Sequence, residues 1–225
     1  MAEAEGGSGT GAEGVPGLDT SVAHPARVYD YWLGGTDNFA ADREAAERVL
    51  AVAPGLRYRV RANRAFLGRA TRYLAAEAGI RQFLDIGTGI PAAGNTHEVA
   101  QRAAPDARVV YVDNDPIVLL HAQALDPWGI VAGLMAAMPD GSYLTISHPA
   151  IDIHHSQADA QRVYNERVAT PQTLRTREQV ARFFTGLELV EPGLVQVHQW
   201  RPEPGDLAPD GTVSAHGAVG LKAGA

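Results

Sequence analysis

An acid at the end of a short apolar strand runs into a glycine turn at Asp85-Ile86-Gly87-Thr88-Gly89. Glycines between a strand and a helix let the backbone approach a ligand closely, and the N-terminus of the next helix favours an anionic group. In S-adenosylmethionine (SAM) that group is the methionine carboxylate, and Asp85 suits the neighbouring ammonium. In NAD the same region holds a pyrophosphate, which a carboxylate repels. Asp113 closes the following strand, where an acid can accept both ribose hydroxyls of either cofactor. Asn114 and Asp115 either touch the adenine or cap the helix that begins at Pro116.

Gly87-Thr88-Gly89-Ile90-Pro91-Ala92 also satisfies G-x-G-x-x-A, so NAD stays open as the second cofactor. Dinucleotide folds usually begin near their fingerprint. Here helical sequence comes first, which suits a lid over the cofactor.

The elements that must position these residues follow from periodicity and breakers. Residues 23–33 read as a helix stopped by Gly34 and Gly35. Thr36, Asp37 and Asn38 offer caps for a helix over 39–53. Pro54-Gly55 breaks it, and a helix over 56–78 follows with Leu56, Val60, Leu67, Leu74 and Ala78 as its buried stripe. Strands at 82–87 and 108–113 flank a helix at 94–104. This is a βαβ unit, which forms parallel sheet with a right-handed crossover. Further helices are expected at 116–125, 127–138, 157–168 and 176–185, and a third strand at 142–147. Residues 187–190 and 194–197 read as two strands joined by a turn at Glu191-Pro192-Gly193. Residues 201–215 read as a loop and 218–221 as a last strand. Residues 1–20 have little to bury and read as a disordered tail. One domain remains, with a helical lid over 21–79 and an α/β core over 80–225.

The 225 residues are 45% hydrophobic and 20% charged, which suits one globular domain with a real core. There is no cysteine, so disulfides, thiolate metal sites and a cysteine nucleophile are excluded. The net charge of −7 argues against a general nucleic-acid or anionic-membrane binder. The chain has no apolar run long enough for a transmembrane helix and no secretory signal, so a cytoplasmic location is expected.

Four stretches carry a family resemblance: His24 to Phe39; Asn63-Arg64-Ala65-Phe66-Leu67; Phe83 to Pro91 with Gly94 to Ala100; and Val110 to Pro116. They resemble the actinobacterial S-adenosyl methyltransferase family, formerly a domain of unknown function. The resemblance spans about residues 22–223. It implies a Rossmann-like class I methyltransferase fold and SAM as cofactor. It also implies that Tyr29, Tyr31, Trp32, Gly34, Gly35, Asp37 and Asn38 form a wall over SAM or the acceptor, against the plainer reading of helix packing and a cap. Arg64 becomes a candidate for the cofactor carboxylate. In one respect the chain departs from the family. There, the helix ending near Leu125 is followed by a strand with an acidic turn, a helix and a further central strand; here Leu125 runs directly into Asp126. A sheet that loses such elements must close the gap or leave edges unpaired.

Asn95 and His97 can line the pocket or cap a helix. His148, at a strand end near the acceptor side, is a candidate general base because imidazole titrates near neutral pH. His148, Asp152, His154 and His155 read as a polar loop rather than a metal site, since adjacent side chains of an extended chain point apart. Arg57, Arg59, Arg61, Arg64, Arg69 and Arg72 spread around one helix and read as a solvated surface. The expected function is SAM-dependent methyl transfer to a small molecule. The alternatives are a non-catalytic SAM-binding protein and an NAD-dependent oxidoreductase.

Overall fold

The computed structural model describes residues 19–90, 94–112, 126–168, 171–204, 206 and 212–224. Residues 1–18 of the tail expected over 1–20, the helix over 116–125 and the residues Asp113, Asn114 and Asp115 lie outside them.

The N-terminal layer is helical. Helix α1, Pro25–Leu33, starts where the His24 ring accepts the Ala26 N–H, and it ends at Gly34 in the left-handed region. Helix α2 spans Ala40–Val52, and the Asp42 carboxylate accepts the Phe39 N–H at its start. Helix α3, Leu56–Arg72, continues as a π-turn over Tyr73–Glu77. Strand β1, Gln82–Ile86, helix α4, Thr96–Ala103, and strand β2, Arg108–Val112, form the expected βαβ unit, with Asp85 paired to Tyr111 in parallel register.

The second half begins with helix α5, Pro127–Ala137, and strand β3, Tyr143–Pro149. Helices α6, Gln157–Asn165, and α7, Arg177–Ala181, follow, the latter extended by a 3₁₀ turn over Arg182–Phe184. Strands β4, Glu188–Leu189, β5, Val195–Gln196, and β6, Ala215–Leu221, complete it. Strand β3 runs antiparallel to the whole of β6. Strands β4 and β5 do not pair with each other as a hairpin. Both add to β6, at Gly220–Leu221 and at His216–Gly217 respectively, because the turn through Gly193 (φ 85°) carries the chain onward along the same edge. The last strand starts three residues earlier than its apolar run, at Ala215 rather than Ala218, drawn in by the full-length pairing with β3.

Helix α3 is the spine of the molecule. Leu56 and Val60 pack with Val28, Trp32, Val49 and Tyr164 of α1, α2 and α6. Farther along the helix and its π-turn, Phe66, Ala70 and Leu74 pack with Trp200, Val197 and Val219 beside β6. The buried stripe therefore runs through Phe66, which is 1% exposed, and not through Leu67. Gly217 permits this approach: a Cβ there would stand 3.0 Å from the Phe66 ring and from Val197.

No strand pairing joins β1–β2 to the four-stranded sheet among the described residues. One face of β1–β2 packs, with Phe83 and Val109 against Ala75, Ala100 and Ala104. The other face is open, with Leu84, Ile86 and Val110 54%, 60% and 59% exposed. Strands of a parallel sheet are normally covered on both faces.

Candidate functional site

The glycine turn is anchored at the strand ends. The Gly87 N–H donates to the Val112 carbonyl at 2.7 Å, so the turn leaves β1 against the end of β2. Gly87 and Gly89 have φ of 77° and 65°, a region that L side chains rarely adopt. Among the described residues, no atom lies within 4 Å of where a Cβ at either would stand. Thr96, the first residue of α4, donates from its hydroxyl to the Asp85 carboxylate at 2.5 Å. This locks the strand end to the helix start and fixes the carboxylate facing the turn. Thr88 and Gly89 lie within the turn, partly buried. Tyr111 accepts the His97 N–H at 2.8 Å, and its hydroxyl lies 2.6 Å from His97 Nδ1. Arg64 donates to the Asn95 side chain at 3.2 Å, which brings α3 to the N-terminus of α4. A helix end and an arginine that donate to an anion, and a carboxylate that accepts from an ammonium, suit a zwitterionic amino-acid moiety such as that of SAM.

A cavity of about 180 Å³ opens under the helical layer, lined among others by Tyr29, Trp32, Arg59, Asn63, His148 and Tyr164. Asn63 donates to the Tyr29 hydroxyl at 3.1 Å. Burial pushes both Tyr29 and Tyr164 up, so they are neutral phenols. Tyr29 and Trp32, both on α1, stand side by side in this lining. Gly34, Gly35 and Asn38 serve a different end. The Gly34 and Gly35 N–H groups close on the last turn of α1, and Asn38 donates to Asp30 at 2.9 Å and to the Gly35 carbonyl at 3.0 Å. A Cβ at Gly35 would collide with the Asp30 carboxylate at 1.9 Å. Their polar groups are spent on the corner between α1 and α2, because a buried carboxylate needs donors close by.

His148 reaches the cavity but is not placed to take a proton. Its Nδ1 lies 2.9 Å from the Pro149 carbonyl, which can only accept, so Nδ1 carries the hydrogen. The lone pair on Nε2 faces the Arg175 guanidinium at 2.6 Å. Burial lowers the pKa of His148 to about 4, against the Pro149 bond, which works to raise it. Between pH 6.5 and 4 the unfolded chain therefore binds a proton here that the folded chain does not. Stability from this group is complete above pH 6.5 and is lost as pH falls to about 4. Urea midpoints measured between pH 7 and 4 should fall, and His148→Gln should flatten that slope by roughly 1–3 kcal/mol.

The remaining polar clusters are structural. Asp152 accepts from the Arg177 N–H and lies 3.2 Å from His216, while His154 turns to Ser156. Arg69 is buried and not solvated as its spacing predicts; it donates to the carbonyls of Val197 and Trp200. Arg59 is likewise partly buried. Nothing in helical spacing marked these two arginines, because their partners lie far along the chain.

A parallel βαβ unit with a glycine turn at its strand ends, beside a helical layer, fits the class I methyltransferase fold, and the similar solved structures place the chain in that class. The family model described as S-adenosyl methyltransferase matches residues 12–126 and 124–223. The two stretches meet at the Leu125–Asp126 junction. The chain belongs to this S-adenosyl methyltransferase family, and SAM is its cofactor. A candidate methyltransferase from Thermobifida fusca YX is 36% identical over 93% of this chain and 98% of its own, with a TM-score of 0.81. A DUF574 family protein from Streptomyces avermitilis MA-4680 is 37% identical over 91% of this chain and 99% of its own, with a TM-score of 0.80. No curated protein matches. The oxidoreductase reading gains no support. No described helix is long and apolar enough to cross a membrane.

Proposed function

We propose that the acceptor is a small molecule held in the cavity between the helical layer and the end of β3. Helix α3 supports this reading: Asn63 lines the cavity, and the next residue, Arg64, contacts Asn95 at the cofactor side. Acceptor and cofactor are thereby referred to one rigid helix. In this proposal Asp85, Gly87, Thr88 and Gly89 hold the methionine end, with Arg64 near its carboxylate, Asp113 and Asn114 on the nucleoside, and Tyr29 on the covering wall.

SAM supplies a methyl group activated on a sulfonium. The chain's task is to align the acceptor in line at about 3–3.5 Å and to exclude water. Neutral Tyr29 and Tyr164, apolar Trp32 and the spent His148 suit exclusion and orientation rather than proton transfer. A dedicated base is needed only for an acceptor that must lose a proton.

Calorimetric titration tests this. SAM and S-adenosylhomocysteine should bind saturably and NAD should not. Asp85→Ala should weaken SAM binding by roughly 10- to 100-fold, the worth of a charge-assisted hydrogen bond. A folded chain that fails to bind SAM would end the enzyme reading for this protein.

A further inference from the structure

Among the described residues, Arg59 alone borders both the aromatic cavity and a second cavity of about 330 Å³. Its Nη1 donates to Gln157 at 2.6 Å, and Gln157 lines the second cavity. Among the described residues, no carboxylate pairs with it. A guanidinium has five N–H donors, and a partly buried one without an acid is unusual, since desolvated charges are normally paired. Burial lowers its pKa to about 10, so it stays cationic at neutral pH. The other polar groups around it in the aromatic cavity are neutral: the Tyr29 and Tyr164 phenols, the Asn63 amide and the His148 imidazole. In a chain of net charge −7, this cavity holds a positive charge and, among its lining residues, no negative one.

We propose that the methyl acceptor is a small aromatic carboxylic acid, its carboxylate on Arg59 and its ring against Tyr29, Trp32 and Tyr164. A planar carboxylate matches the guanidinium fork, and aromatic walls match a flat ring. A cavity of about 180 Å³ favours a single-ring acid over a larger ligand. The assignment rests on the methyltransferase reading above, since it makes the cavity the acceptor site.

The test titrates the full chain with 4-hydroxybenzoate and with the neutral 4-hydroxybenzamide, in the presence of S-adenosylhomocysteine. The acid should bind roughly 10- to 100-fold more tightly than the amide, as expected for one charged hydrogen-bonded pair. Arg59→Gln should abolish that preference, and Arg59→Lys should restore part of it, with thermal unfolding recorded for each. Equal affinity for acid and amide in the unaltered chain, or no binding of either, overturns the proposal without any variant. Inorganic phosphate displacing the acid at equal concentration also overturns it, since the site would then read charge alone. SAM binding in the same preparation separates the two readings. SAM bound with no acid preference removes only the acceptor assignment, whereas no SAM binding removes the acceptor assignment together with the function.

Discussion

Asp42→Ala should destabilise the chain by about 3–5 kcal/mol, the usual cost of stripping one partner from a buried ion pair. Asp42 is fully buried. It accepts the His24 N–H, the Phe39 N–H and the Arg27 Nε–H, each at 2.8 Å. Arg27 in turn donates to the Val22 carbonyl at 2.7 Å. One carboxylate therefore ties the start of α1, the start of α2 and the segment before them. Its loss leaves a buried guanidinium without its carboxylate and two N–H groups without their acceptor. Asp42→Asn keeps the shape and one good acceptor and should fall between. Urea unfolding is the measurement, and a loss under about 1 kcal/mol would mean that the network contributes little. Because Tyr29 and Trp32 ride on α1, the variant should also weaken ligand binding at the cavity in proportion to unfolding of that helix.

The second large effect is expected from Arg69→Met, again about 3–5 kcal/mol. Arg69 donates to the Trp200 carbonyl at 2.7 Å, the Val197 carbonyl at 2.6 Å and Asp206 at 2.7 Å. Methionine fills the space of the stem but leaves two buried carbonyls without a donor, and unmet buried polar groups are costly. These bonds hold the Val197–Gln199 turn and Trp200 to α3, where Trp200 meets the Phe66 ring edge-on at 5.6 Å. Arg69→Lys should recover only part, since an ammonium cannot span three acceptors set in a fork. Asp206→Asn should cost less, because that side chain is partly exposed. If Arg69→Met and Asp206→Asn lowered the urea midpoint equally, the ion pair and not the carbonyls would carry the effect.

The helices at 25–33, 40–52 and 56–77 and the βαβ unit were legible because their signals are local: spacing, caps and a glycine turn. The glycine turn that follows β1, with Gly87 and Gly89 at positive φ, was legible for the same reason. The misread positions share a different cause. Residues 187–190 and 194–197 have the composition of a hairpin, yet the edge of β6 takes both, and that edge is built by residues far away. Arg59 and Arg69 look like their exposed neighbours along α3; only Gln157 and the 197–206 segment, folded against them, set them apart.

The sequence by itself determined the class of the protein and the glycine turn after β1. Glycine conformation, strand-to-helix order and an acid at a strand end are properties of neighbouring residues, and they survive without knowledge of the rest. Tertiary structure alone decided the cavity beside Arg59, the neutrality of His148 and the division of the sheet. Each depends on desolvation or pairing by groups distant in the chain, and burial, which sets the charge of a histidine or the worth of an arginine, exists only once those groups have packed together.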